Sequence, residues 1–263
     1  MTRTSLYVPG DRPERFDKAL ASGADAIILD LEDGVSADNK KLALTNVCSW
    51  LGANGTASAL VRINSGILGA ADVQELRTVG LPRLVVPKAT PETCGIEGGD
   101  IVALIETAEG VARIDEIAQI TQVRRIAIGE ADLAEDLGMW PSPDGREFAP
   151  IRSHIVVTSA HRGLEAPAGP VPTDIDDLEA LEATSEALRR MGFGGRSVIH
   201  PKQVEIVNRV FEPSASEIEW AKGVIAANRA SDGQIAVYDG GFVDAPIVAR
   251  ARRILARVGK PKS

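Results

Sequence analysis

The stretch IVALIETAEGVARIDEIAQITQVRRIAIGEAD, Ile101–Asp132, decides the fold class. It opens on a short unbroken apolar run, Ile101–Ile105, which stops at Glu106-Thr107. An amphipathic stretch over Ala108–Ile120 follows, then a second apolar run, Arg125–Gly129, closed by Glu130-Ala131-Asp132. Apolar runs of this length without polar alternation fit strands covered on both faces. A helix between two such strands implies parallel pairing.

The same punctuation extends outward in both directions. Strands are expected at Ser5–Val8, Ala26–Asp30, Ala59–Ile63, Leu84–Pro87 and Ser197–His200, with a Pro-rich eighth candidate at Ala166–Val171. Helical patterns lie at Arg12–Ser22, Ala37–Leu51, Ile151–His161 and Leu178–Met191. Eight strand–helix units in 263 residues fit a closed α/β barrel, the (β/α)8 TIM barrel, better than an open sheet. No Gly-x-Gly-x-x-Gly follows the first strand, which argues against a dinucleotide fold. Past His200-Pro201 the pattern changes to a helix over Val204–Val210, another from about Ser216, a short hairpin spanning Asp232–Gly241 and a last helix over Pro246–Arg257. The expected division is a catalytic barrel over 1–212 and a C-terminal helical and hairpin appendage over 213–263, packing on the barrel or a neighbouring subunit.

Composition narrows the function classes. At 44% hydrophobic and 25% charged, the chain carries enough apolar material for a large core. A formal charge of −8 argues against nucleic acid, which needs a basic face, and 4% aromatic residues leave little for base stacking. Cys48 and Cys94 make neither a disulfide framework nor a metal knuckle. No stretch approaches the roughly 20 apolar residues of a membrane span, and Met1–Leu6 lacks a signal-peptide core. The expectation is a cytoplasmic protein with no membrane partner.

In such a barrel the C-terminal strand ends carry the chemistry. Those ends read Asp30-Leu31-Glu32-Asp33, Arg62-Ile63-Asn64, Pro87-Lys88, Glu106-Thr107, Glu130-Ala131-Asp132 and His200-Pro201. Glu106 and Asp132 lie one strand–helix step apart, so they should be neighbours on the rim. Two carboxylates there suit Mg²⁺, which prefers oxygen and keeps several waters; equally, one of them pairs with Arg62 as a structural ion pair. Arg62 offers a planar fork for a carboxylate, or a partner for Asp30 or Glu32. Side-chain alternation keeps Asp30, Glu32 and Asp33 from all entering one pocket, so one is expected to be functional and the others structural. His200 reads as a packed, hydrogen-bonded residue, and Lys88 as a phosphate contact or solvated turn rather than a Schiff-base lysine. Ser153, Ser159 and Ser197 lack a nucleophile elbow.

At these residues the sequence resembles the citrate lyase beta-subunit-like proteins of the HpcH/HpaI aldolase superfamily. The resemblance runs through LYVPGDRPERFDKA (Leu6–Ala19), ADAIILDLEDGV (Ala24–Val35), VRIN (Val61–Asn64), VPKA (Val86–Ala89), ALIETAEGV (Ala103–Val111), GEADLAEDLG (Gly129–Gly138), GRSVIHPKQV (Gly195–Val204) and VDAPIVARARRIL (Val243–Leu255). It implies a TIM barrel assembled as trimers or hexamers that binds Mg²⁺, with Mn²⁺ as a substitute, and makes or breaks a carbon–carbon bond in a 3-hydroxyacyl thioester. It assigns the metal to Glu106 and Asp132, substrate binding to Arg62, and general acid/base work to Asp244 from a neighbouring subunit. Glu130 and Ala131 join Arg62 and Glu106 as expected substrate contacts, with Glu32, Asp33 and Lys88 standing behind them. Two departures mark this chain: Gly129-Glu130-Ala131-Asp132-Leu133 replaces the commoner Gly-Ala-Glu-Asp-Leu, and Arg196 replaces a lysine.

The implied reaction yields a keto acid and an acetyl-type thioester of CoA from a citryl-, malyl- or citramalyl-like substrate. An anionic CoA thioester needs local positive charge, for which Arg3, Arg12, Arg15 and Lys88 are the candidates. Two other classes compete: a beta subunit of a citrate lyase complex acting on an acyl-carrier-protein thioester, and a non-catalytic barrel that binds a keto acid and Mg²⁺.

Overall fold

Eight parallel strands close on themselves in sequence order. They are β1 (Thr4–Pro9), β2 (Ala26–Asp30), β3 (Ala59–Arg62), β4 (Arg83–Val86), β5 (Ile101–Ile105), β6 (Val123–Ile128), β7 (Ala168–Gly169) and β8 (Gly195–Val198), with β8 pairing back onto β1. The computed structural model describes residues 2–57, 59–231 and 236–258. The outer layer of the barrel contains α1 (Phe16–Leu20), α2 (Lys40–Asn54), α3 (Gly66–Thr78), α4 (Ala108–Ala112), α5 (Ile114–Ile117), α6 (Glu130–Asp136), α7 (Ala149–His161) and α8 (Leu178–Met191). Then α9 (Val204–Phe211) leads out of it. The β4–β5 connection has no helix among the described residues, and the Pro-rich eighth strand shortens to Ala168–Gly169.

Side-chain alternation sorts each strand into an inner and an outer set. Ile28, Val85, Val102, Leu104, Ala127 and Ala168 form one buried cluster, with Tyr7 and Leu60 packed against it. Their sequence neighbours Ile27, Leu29, Leu84, Ile101 and Ile105 take the other face and are also fully buried. This double burial is why the strands read as continuous apolar runs; each such side chain contributes about 1.5–3 kcal/mol. Ile28 and Leu60 are register partners, and two residues further on the next pair on that face is Asp30 and Arg62. The ends opposite the mouth hold charge: Arg83 bridges Glu165 at 3.0 Å, and buried Arg125 donates to the carbonyls of Thr2 and Ala166.

The chain divides into two compact units, residues 2–209 and 210 onward, the cut falling within α9. The second unit contains α10 (Ala215–Ala230), the antiparallel strands β9 (Ala236–Tyr238) and β10 (Gly241–Val243), and α11 (Ala245–Arg257). A capping box starts α10: Ser214 Oγ accepts from the Glu217 N–H at 3.2 Å and Glu217 returns the bond at 2.8 Å. The hairpin turns at Asp239-Gly240, both with positive φ (51° and 73°), as a tight two-residue turn demands. The expected hairpin began earlier, but Asp232–Ile235 lie outside the described residues. Ala221, Val224, Ala236, Val243, Val248 and Ala251 form this unit's own core.

Barrel closure depends on one bare position. A Cβ on Gly195 would stand 2.1 Å from the Arg3 carbonyl oxygen, which is backbone and cannot swing aside. Gly195→Ala is therefore expected to cost about 2 kcal/mol or more, seen as a lower urea midpoint at unchanged slope. An unchanged midpoint would contradict closure of β8 on β1 at this register.

Candidate active site

Because Asp30 and Arg62 are inward-facing register partners, they meet at the barrel mouth. Arg62 Nε and Nη2 donate to Asp30 Oδ1 and Oδ2, both at 2.7 Å, a two-point fork between side chains 12% and 4% exposed. Arg62 Nη1 lies 3.1 Å from Glu32 Oε2 and 3.4 Å from Asp33 Oδ2. Its guanidinium sits 5.0 Å from the centre of the Tyr7 ring. Burial works against the charge on Arg62, but the Asp30 hydrogen bonds together with the charges of Tyr7, Asp30 and Glu32 outweigh it and hold the pKa above the usual arginine value. Asp30 also accepts the Glu32 and Gly34 N–H groups, each at 2.9 Å, and so shapes the turn after β2.

Two expectations need correcting here. Alternation ends with the strand at Asp30, so Glu32 and Asp33 sit in the following turn and all three carboxylates converge on one arginine. The fork expected to be free for substrate is also taken: Asp30 occupies the Nε/Nη2 edge, and Nη1 faces Glu32 and Asp33. Asn64 is committed as well, donating through its backbone and side-chain N–H groups to Asp72 Oδ2 at 2.8 Å. Glu32 Oε1 accepts from Ser65 Oγ at 2.7 Å, while its buried Oε2 has no hydrogen-bond partner among the described residues, and burial raises its pKa despite Arg62.

Glu106 follows β5 and is 2% exposed. Its Oε1 accepts the Lys88 backbone N–H at 2.8 Å, in a turn where Lys88 takes a φ of +45°. The Lys88 side chain itself is exposed. Glu106 Oε2 accepts no hydrogen bond from the described residues, and lies 2.6 Å from where a Cβ on Gly129 would stand. Glycine at 129 thus makes room for this carboxylate. Burial pushes the Glu106 pKa up to about 8 against the pull of the Lys88 N–H, with Glu32 and Asp132 pushing further. Asp132, in the first turn of α6, has no hydrogen bond or ion pair among the described residues. Neither acid pairs with Arg62, the structural alternative raised above.

This donor set suits Mg²⁺, which binds through one or two carboxylates and otherwise keeps water. A buried carboxylate beside a second one lacks a counter-charge, and a divalent cation supplies it. Among the described residues no group of three or more His, Cys, Asp or Glu converges to ligate a metal, so further positions would fall to water and substrate oxygens.

The other candidates are placed elsewhere or hold structural bonds. Glu130 turns to Arg152, accepting from Nε and Nη2 at 2.6 and 2.7 Å. Ala131 is exposed on α6. His200 caps the turn after β8, its Nδ1 accepting the Lys202 N–H at 3.2 Å. Asp244 is the N-cap of α11, its Oδ1 accepting the Ile247 N–H at 3.1 Å, with Pro246 in the first turn. Arg3 precedes β1 at the end away from the mouth and pairs with Asp25 at 2.9 Å, which removes it from the CoA candidates. Arg12 and Arg15 stay largely exposed. Sequence reasoning missed Arg152 and Gly129; no local pattern signals a contact that spans 22 residues.

Glu106→Gln and Asp132→Asn are each expected to weaken divalent-cation binding by at least about tenfold in calorimetry, with the fold kept. Glu130→Gln is expected to do the opposite, lowering the melting temperature by leaving Arg152 buried and unpaired while cation binding persists. The reverse pattern would move the metal site to Glu130.

Known proteins match this chain over most of its length. Residues 3–94 and 89–201 match the model of the HpcH/HpaI aldolase/citrate lyase family. A citrate lyase subunit beta-like protein of Mycobacterium tuberculosis is 36% identical over 98% of this chain and 96% of its own. A (3S)-malyl-CoA thioesterase of Cereibacter sphaeroides is 34% identical over 97% of this chain and 94% of its own. A Mycobacterium tuberculosis protein solved in complex with magnesium, acetoacetate and coenzyme A superposes with a TM-score of 0.87 at 32% identity, covering 98% of each chain. The chain belongs to the HpcH/HpaI aldolase/citrate lyase family.

Proposed function

We propose that the protein is a Mg²⁺-dependent carbon–carbon lyase that cleaves or forms a 3-hydroxyacyl-CoA thioester, releasing or consuming a keto acid and an acetyl-type thioester. The observation that carries this is the pair of carboxylates, Glu106 just past β5 and Asp132 in the first turn of α6, with Glu106 Oε2 and both Asp132 oxygens free of hydrogen bonds from the described residues, sharing the mouth with Arg62. The related structure holding magnesium, a keto acid and coenzyme A together supports the ligand set.

In this reading Glu106 and Asp132 hold the cation, which when bound supplies Lewis acidity to the keto-acid oxygens. Asp30 keeps Arg62 charged and fixed, and Arg62 directs Nη1 toward the substrate carboxylate or the developing oxyanion. In cleavage the 3-hydroxyl gives its proton to water, its oxygen becomes the keto oxygen of the released acid, the C2–C3 bond breaks and that bond's electron pair passes into the thioester enolate. Asp244 of a neighbouring subunit then protonates the enolate carbon, or removes that proton in condensation, worth typically about 10²–10⁴-fold. Glu130 and Ala131 shape the wall beside Asp132, and Glu32, Asp33 and Lys88 set the field around the bound oxygens. Assembly as trimers or hexamers brings the second subunit, and the setting is the cytoplasm.

A second reading rests on the 34% identical relative named as a thioesterase: hydrolysis of the thioester rather than cleavage of carbon. Incubation with citryl-, malyl-, citramalyl- and 3-hydroxy-3-methylglutaryl-CoA plus Mg²⁺ separates the two. The lyase releases a keto acid and a shorter acyl-CoA; hydrolysis releases free CoA and the intact hydroxy acid. Turnover only of acyl-carrier-protein thioesters would identify a complex subunit, and binding of keto acid and Mg²⁺ without turnover of any thioester a non-catalytic barrel.

The role of Asp244 has its own test, since a helix cap alone explains its hydrogen bond. Arg62→Ala and Asp244→Asn proteins, each inactive, are mixed and allowed to exchange subunits. About one site in four then combines an intact Arg62 with a neighbour's intact Asp244, and activity returns near that fraction. Confirmed exchange with no recovery would confine Asp244 to capping.

A further inference from the structure

Alternation sends Arg196 away from the barrel interior: Ser197 lines a small cavity inside the barrel, so its neighbour faces the helical layer. Arg196 is 5% exposed there and has no carboxylate partner among the described residues. Its Nε donates to the Pro170 carbonyl at 2.9 Å, and Nη1 donates to Thr184 Oγ1 and Ser185 Oγ at 2.9 and 3.1 Å. Nη2 donates to no described group. Burial pulls the Arg196 pKa down to about 10, with Glu130 opposing and Arg152 reinforcing the shift.

Arg196 lines a cavity of about 380 Å³ that lies wholly within residues 130–196. Arg152 and Glu130 line it too and neutralise each other through their fork, which leaves Arg196 as the lining cation with no ion pair among the described residues. Most of the remaining wall is apolar, including Ala134, Phe148, Pro170, Val171, Leu181 and Leu188. Exposed carboxylates of Asp144, Asp174 and Asp177 also line it. Those acids disfavour phosphates and other polyanions, while the apolar wall asks for more than a bare small anion.

We propose that this cavity is a second ligand site, bordering the barrel mouth at Glu130 and Ala131, which takes an organic monocarboxylate with an apolar body and seats its carboxylate on Arg196. The apolar body replaces water against Phe148 and the leucines, and the carboxylate satisfies Nη2.

The test uses 4-(trifluoromethyl)benzoate as probe, followed by fluorine NMR with the full chain. Saturable binding is expected, with 4-(trifluoromethyl)benzyl alcohol, acetate and inorganic phosphate each weaker by about tenfold or more. Arg196→Gln should weaken the probe by about ten- to hundredfold, and Arg62→Ala should leave it unchanged. If Arg196→Gln does not fold, Ala134→Leu, which narrows the cavity from its wall, should abolish binding instead. No saturable binding, binding retained in both cavity variants, or binding lost with Arg62→Ala would each overturn the proposal.

Discussion

The two-residue alternation of side chains in a closed parallel barrel is the constraint on which the rest of this structure depends. Once Ile28 and Leu60 are inside, Asp30 and Arg62 must follow them inside and meet as register partners. Leu104 inside carries Glu106 to the same mouth, just beyond its strand. The same rule turns Arg196 outward into the helical layer. The catalytic reading of Arg62 and the ligand-site reading of Arg196 are thus two consequences of one geometric fact.

The constraint carries an electrostatic cost. Charges delivered to a low-dielectric mouth must be paired or must acquire a partner. Arg62 is paired at once by Asp30, so that removing Arg62 would leave Asp30 buried without its counter-charge, typically about 3–5 kcal/mol. Glu106 is left without such a cation, and burial pushes its pKa up accordingly. A site that stabilises one charge internally and leaves another short of its counter-charge is prepared for a cation and an anionic substrate together.

The fold was legible in the sequence where burial on both faces produced unbroken apolar runs: β2 and β5 begin and end where those runs do. It was less legible where elements are short or their polar residues do tertiary work. The α3 stretch carries a buried Asp72 that holds Asn64, which spoils its helical periodicity. The α6 stretch, with its run of acids, reads as the end of a strand rather than a helix. At the site, Glu106, Asp132 and Arg62 stood out as charged residues ending apolar runs. The convergence of Asp30, Glu32 and Asp33 on Arg62 did not, because turn geometry after Asp30 replaces the strand rule. The Glu130–Arg152 fork joins the first residue of α6 to the next helix, α7, a contact with no sequence signature.

The central claim is that Glu106 and Asp132 hold a divalent cation whose remaining positions are open to keto-acid oxygens. Water-proton relaxation enhancement by Mn²⁺ measures that directly, because it reports both ion binding and the waters left on the ion. The account predicts saturable enhancement that falls when pyruvate or oxaloacetate displaces bound water, and that is lost in Glu106→Gln. Enhancement that persists in Glu106→Gln, or that ignores the keto acid, would contradict it.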